Sequence, residues 1–139
     1  NTRMDEMQAA MLGVGLKYID DEKHIRQKIA EKYLSGIRNP LVTLPQTRED
    51  TEHVYHIFGI LCEKRDALIA FLAEKGIQTG IHYPIPPHLS PCYADLGFKK
   101  GDFPIAECYA DQEISLPIYA GMPEEEADYV IDTINAFQG

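Results

Sequence analysis

Arg65-Asp66-Ala67-Leu68-Ile69-Ala70-Phe71-Leu72-Ala73-Glu74-Lys75-Gly76-Ile77-Gln78-Thr79-Gly80-Ile81-His82-Tyr83 is the stretch that decides the fold. Leu68, Phe71 and Leu72 recur at steps of three and four, so the spacing predicts a helix over 65–75 with those residues facing inward. Gly76 closes it at the position after the cap. From Ile77 the period changes to two. Ile77, Thr79, Ile81 and Tyr83 then point one way and Gln78, Gly80 and His82 the other, which predicts a strand over 77–83. A helix joined to a strand by one glycine belongs to a layered domain in which helices cover a sheet.

Upstream, His53 to Cys62 is the strongest strand candidate, with Val54, Phe58, Ile60 and Cys62 on the same parity as His56. Tyr55, Ile57 and Leu61 occupy the other parity, so apolar residues on both faces predict a central strand. Leu41 to Leu44 predicts a short strand stopped by Pro45, and the polar run 46–52 a loop. Before Asn39-Pro40, two apolar stripes share helical spacing: Met4, Met7, Met11, Val14 and Tyr18, then Ile25, Ile29, Tyr33 and Ile37. They predict one long helix, or two with a bend near Asp20, stopping at Gly36. If straight it would be roughly 50 Å long. It would outrun a domain of this size and so would brace two domains or two subunits.

Downstream, Pro84-Ile85-Pro86-Pro87-His88 is too rich in proline for helix or ladder. Ser90-Pro91 predicts a short helix ending near Gly97, and Phe103-Pro104 another to about Ala110. Glu113 to Leu116 reads as a short strand ended by Pro117. The last helix begins at Pro123, with Glu124, Glu125 and Glu126 opposing the positive end of the helix dipole. Ala127, Val130, Ile131, Ile134 and Phe137 form its inward stripe. This order implies an α/β or α+β domain: a small, mostly antiparallel sheet with helices packed on it. We expect residues 1–38 to be a long connecting helix and 39–139 a small α/β domain.

Among 139 residues, 13 are Lys or Arg and 22 are Asp or Glu, a net charge of −9. That balance argues against a broad basic surface for nucleic acid. No apolar run approaches the ~20 residues a membrane span needs, and no signal-peptide layout is present. Cys62, Cys92 and Cys108 are odd in number and widely spaced, which predicts reduced cysteines in a cytoplasmic protein. His53 and His56 would face opposite ways on a strand, so they make a poor metal pair and no metal site is expected.

Two clusters carry the chemistry. Asn1 and Arg3 stand just before the first helix, where an amide and a guanidinium beside unpaired N–H groups suit an anion such as phosphate. An N-cap and a surface arginine are the alternative. The second cluster is His82-Tyr83-Pro84-Ile85-Pro86-Pro87-His88, where a strand end delivers an imidazole and a phenol into a rigid loop. A turn with a core tyrosine is the alternative.

In order along the chain, these residues resemble a family. Asn1-x-Arg3-Met4-Asp5-x-Met7-Gln8-Ala9-Ala10 is similar to the opening motif of the DegT/DnrJ/EryC1/StrS sugar aminotransferases. The resemblance continues through Arg26 and Ala30-x-x-Tyr33, His56-Ile57-Phe58, Arg65-Asp66 and Gly76-Ile77-x-Thr79-x-x-His82-Tyr83-Pro84. It closes with Phe103-Pro104-x-Ala106-Glu107 and Ser115-Leu116-Pro117. It implies the small C-terminal part of a fold-type I enzyme, like aspartate aminotransferase, that uses pyridoxal 5′-phosphate. Such enzymes move an amino group, usually from glutamate, onto a keto-sugar carried by a nucleotide, in homodimers with active sites at the interface.

By the resemblance, Asn1 reaches the cofactor phosphate of the partner subunit, with Arg3 near the same phosphate or the sugar nucleotide. His82 and Tyr83 lie by the substrate, and His88 is a weaker candidate in the same loop. Tyr55-His56-Ile57-Phe58 and the run around His82 look most like enzymes acting on dTDP-linked 3-keto-6-deoxyhexoses, and enzymes acting at sugar C4 share most of these residues. The family's Schiff-base lysine has no match here: the eight lysines sit in helices or polar loops without a partner arrangement for that chemistry. No catalytic residue is therefore expected in this chain. The chain opens without an initiator methionine on a functional motif, so we expect a C-terminal piece of a longer protein, inactive alone. Relatives with histidine in place of that lysine are keto-sugar 3-dehydratases, and that chemistry is the alternative. A non-catalytic binding or dimerisation module is the second.

Overall fold

The structure is a computed structural model that describes residues 3–139. Of the two expected arrangements the stripes form the second, two helices, α1 (Glu6–Gly15) and α2 (Ile19–Gly36). Asp5 caps α1, its carboxylate accepting the Met7 and Gln8 N–H groups at 2.9 and 3.3 Å. The break falls at Leu16-Lys17-Tyr18, ahead of the expected bend near Asp20. The reason is electrostatic as well as local. Gly13 and Gly15 weaken the end of α1. Asp20, Asp21 and Glu22 then occupy the first turn of α2, where their charge favours a helix start over a bend.

Two strands form the sheet, β1 (Phe58–Leu61) and β2 (Glu113–Leu116), paired antiparallel with Phe58 opposite Leu116 and Leu61 opposite Glu113. β2 has the bounds its sequence predicts; the other expected strands are shorter. Over 41–44 only Thr43 pairs, with Leu61, and over 77–83 only Gly80 pairs, with Ser115. The flanking prolines, Pro40, Pro45 and Pro84, limit both. The expected strand over 53–62 keeps only its second half. The His53 Nδ1 accepts the Tyr55 N–H at 2.9 Å, and Tyr55 has a positive φ of 47°. A local side-chain bond therefore takes this backbone out of the ladder. Tyr55 is buried and Val54 exposed, the reverse of the strand parity.

Helix α3 (Arg65–Glu74) buries Leu68 and Leu72, with Gly76 at φ 77° as expected. Two 3₁₀ turns, Pro87–Leu89 and Pro91–Leu96, lead to α4 (Pro104–Gln112), and α5 (Glu124–Ala136) ends the chain. Phe58, Ile60 and Ile114 from the sheet are fully buried with Tyr33, Leu68, Leu72 and Ile134. The C-terminal half of α2 thus shares one core with the sheet, α3 and α5. By contrast, α1 buries nothing.

The C-terminal ends of α2 and α5 cap each other. The Asn39 amide donates to the carbonyls of Ile134 and Phe137 at 2.7 and 2.8 Å. Reciprocally, Asn135 donates to the Gly36 carbonyl at 2.9 Å and accepts the Arg38 N–H at 2.7 Å. Carbonyls that a helix end leaves unpaired are satisfied by its neighbour.

Candidate functional site

Strand β2 is polar on one face and buried on both. Ile114 and Leu116 enter the core, while Glu113 and Ser115 turn toward the segment that carries His82. Pairing of Gly80 with Ser115 fixes the register, through bonds of 2.8 and 3.1 Å. Two residues further on, the His82 N–H donates to Glu113 Oε2 at 2.7 Å, and His82 Nδ1 lies 2.8 Å from Ser115 Oγ. Ser115 Oγ in turn donates to Glu113 Oε1. Gly59 makes room for that carboxylate: a Cβ there would lie 3.1 Å from Oε1.

Tyr83 follows across a cis peptide bond and is 72% exposed, edge-on to the His82 ring at 5.3 Å between centroids. His82 stands between two cavities. One, of about 240 Å³, is lined by His56, Gly80, Ser115 and Pro117. The other, of about 480 Å³, is lined by Tyr83, Pro86, Ser90, Tyr93 and Tyr109. A third cavity, of about 660 Å³ between Ile77, Met122 and Tyr129, is lined by none of the candidate site residues Arg3, His82, Tyr83 and His88.

Helix α2 secures the far end of β2. Arg26 donates to the Ile118 carbonyl at 2.8 Å, and the Tyr33 hydroxyl to the Pro117 carbonyl at 2.7 Å. Burial, with the nearby Tyr119 and Glu126, pushes the Tyr33 phenol well above its ordinary range, so it stays a donor.

His88 is placed differently from His82 and Tyr83. Its side chain is 8% exposed, its Nε2 lies 3.0 Å from Glu107 Oε1, and its ring packs on Phe103 at 4.8 Å. Glu107 also accepts the Gly101 N–H at 2.7 and 2.9 Å and the Phe103 N–H at 3.4 Å. The Gly101 bond first, and His88 and Phe103 after it, hold its carboxyl below the usual carboxylate range against the opposing effect of burial. His88 thus ties the proline-rich loop to α4. Arg3 is exposed and pairs with Glu6 at 3.2 Å, and it lines neither cavity beside His82. Asn1 lies outside the described residues.

Glu113 escaped sequence reasoning, and Ser115 entered it only as part of a motif. A glutamate and a serine alternating with Ile114 and Leu116 signal a half-polar strand. That they meet His82 depends on a register the sequence does not display. Among the described residues no group of His, Cys, Asp and Glu could hold a metal ion. Nor is any helix among them long and apolar enough to cross a membrane.

Comparison with known proteins gives one family. Residues 1–135 match the DegT/DnrJ/EryC1/StrS aminotransferase family. The chain is 45% identical over 137 residues to the erythromycin biosynthesis sensory transduction protein EryC1 of Saccharopolyspora erythraea, covering 98% of this chain and 37% of that protein. It is 42% identical to the dTDP-3-amino-3,6-dideoxy-alpha-D-galactopyranose transaminase of Aneurinibacillus thermoaerophilus, covering 99% and 37%. Among solved structures, S. venezuelae DesV in complex with a ketimine intermediate superposes with a TM-score of 0.93 at 42% identity, over 96% of this chain and 36% of that one. NtdA of Bacillus subtilis with bound cofactor PMP gives 0.71 at 27% identity, over 85% and 28%. The chain therefore spans about 37% of the length of the curated relatives it matches. With the motifs, the fold and the match in agreement over nearly every residue, this chain belongs to the DegT/DnrJ/EryC1/StrS aminotransferase family.

Proposed function

We propose that this chain builds the small-domain side of a nucleotide-sugar aminotransferase that uses pyridoxal 5′-phosphate. In this reading the amino group passes from glutamate to a keto-sugar nucleotide such as a dTDP-3-keto-6-deoxyhexose. The protein works in the cytoplasm as a homodimer with its sites at the subunit interface. Residues 1–38 connect to the small domain of 39–139, with the C-terminal half of α2 packed into its core. The observation that carries this reading is the family match over residues 1–135, joined to relatives named as dTDP-sugar transaminases.

The residues present fit one wall of a cofactor site and not its covalent seat. No lysine lines the cavities beside His82. Lys23 is bound by Asp20 and Glu52, and Lys32 by Asp128 and Glu124. Asp128 first, then Glu124, hold the Lys32 ammonium above its ordinary range, the opposite of what a nucleophilic amine needs. When bound, pyridoxal phosphate supplies the electron sink through which an amino group is exchanged. This chain's part is to bind and orient. His82 and Tyr83 present one polar ring atom and one hydroxyl to the sugar nucleotide, on a base held by Glu113 and Ser115. Asn1 and Arg3 would serve the cofactor phosphate from the neighbouring subunit.

The test is amine transfer from glutamate to a dTDP-3-keto-6-deoxyhexose by the intact protein loaded with pyridoxal phosphate. Transfer is expected, and His82→Ala should lower kcat/KM for the sugar about tenfold, the worth of one substrate hydrogen bond. A cofactor-loaded protein that transfers no amine to such sugars would overturn the reading. The 139 residues alone should form no covalent adduct with pyridoxal phosphate, read as an unshifted cofactor absorbance.

A further inference from the structure

The chain of groups behind His82 has a direction. A carboxylate accepts hydrogen bonds and has no proton to give. Glu113 takes two, from the His82 N–H and from Ser115 Oγ. A serine hydroxyl has one proton, and this one is spent on Glu113. Toward His82 Nδ1, 2.8 Å away, Ser115 Oγ is left as an acceptor. A neutral imidazole carries its single proton on the nitrogen that must donate. Among the described residues Nε2 has no hydrogen-bond partner, and the residue is exposed between the two cavities.

We infer that Glu113 and Ser115 are positioning residues that hold neutral His82 in its Nδ1–H form and leave Nε2 as an acceptor for a sugar hydroxyl. Glu113 and Ser115 are 6% and 7% exposed, so water does not compete freely for these bonds. Gly80 completes the mount. A Cβ there would lie 3.0 Å from His82 Cε1, so the bare backbone lets the ring lie close and reach Ser115. An accepting Nε2 selects donors. It suits a hydroxyl of the sugar, whereas a diphosphate oxygen, itself an acceptor, would find no proton on it. The ligand half of this inference rests on the nucleotide-sugar reading above; the tautomer half does not.

The experiment is ¹⁵N–¹H correlation spectroscopy of the histidine-labelled protein at about pH 9, where an ordinary imidazole is neutral. The chain has five histidines, and His82→Gln assigns the signal by its loss. Expected is a pyrrole-like Nδ1 and a pyridine-like Nε2; the reverse pattern overturns the inference. Glu113→Gln supplies a second arm. The glutamine oxygen can keep the His82 N–H while its amide donates to Ser115, whose proton then turns to Nδ1. The pattern should invert in that variant, and an unchanged pattern overturns the relay. If that variant does not fold, the wild-type spectrum still decides.

In the intact enzyme Glu113→Gln should raise KM for the keto-sugar about tenfold and leave KM for glutamate unchanged, a split that general loss of structure would not give. An inverted spectrum with unaltered KM overturns the hydroxyl contact and leaves the tautomer standing. An intact protein with no transfer activity would sink the proposed function while the spectrum still reports on the relay.

Discussion

Glu107 takes the His88 ring directly, whereas Glu113 takes the His82 N–H and reaches its ring only through Ser115, and the two histidines end in different settings. One ring is buried against Glu107, which is bound also to the Gly101 and Phe103 N–H groups; the other lines a cavity. Because Glu107 is held below its usual range of about 4.5, its folded value lies under its unfolded one. Its contribution is therefore complete above that range and is lost as pH falls through the folded value. Thermal unfolding followed by circular dichroism should show the wild type losing stability below pH 4.5 more steeply than Glu107→Gln. Equal slopes would mean that the carboxylate contributes nothing. His82 and Tyr83 were legible as candidate site residues because a strand end runs into a rigid proline-rich loop. The same loop made His88 a weaker candidate. Its true setting depends on Glu107, reached only when α4 folds back, and no local pattern reports that. Ser115 and Glu113 were hidden for the same reason, since their meeting with His82 depends on Gly80 pairing with Ser115.

The reciprocal capping of α2 and α5 sets stability among the elements. Asn39→Ala would leave the carbonyls of Ile134 and Phe137 buried without their side-chain donor. The expected loss is about 2–3 kcal/mol in urea unfolding with an unchanged m value. Asn135→Ala should cost only about 1 kcal/mol, because its two bonds are exposed and water can replace the amide. A larger loss from Asn135 than from Asn39 would reverse this account. Neither role was visible in sequence, where Asn39-Pro40 reads only as a helix stop. Elements bounded by punctuation were legible: α3 before Gly76, α4 after Phe103-Pro104, β2 before Pro117 and α5 after Pro123. Strand lengths were not. Alternation over 53–57 and 77–83 is a property of the side chains, whereas ladder membership is decided by a partner backbone. His53 diverts the first segment, and Pro84 with the proline-rich loop cuts the second.

Across the whole molecule two terms oppose each other. Met7 and Met11 are 70% and 68% exposed, and Leu12, Val14 and Leu16 beside them are also bare, so α1 carries an apolar surface that nothing among the described residues covers. Burying even a few hundred Å² of it at roughly 25 cal/mol per Å² would contribute several kcal/mol to association. Against this stands a net charge of −9, which drives copies apart and is screened by salt over about 8 Å at physiological ionic strength. The 139-residue chain should therefore self-associate, and more so as salt is raised, in sedimentation velocity across a concentration series. Met7→Gln with Met11→Gln should restore the monomer. It should also leave the unfolding free energy within about 0.5 kcal/mol of wild type, because α1 buries no side chain in the core. A wild-type chain that stays monomeric at every concentration and salt would show that the exposed methionines do not drive association. A double variant that loses stability would show instead that α1 is packed on the domain, contrary to its exposure here.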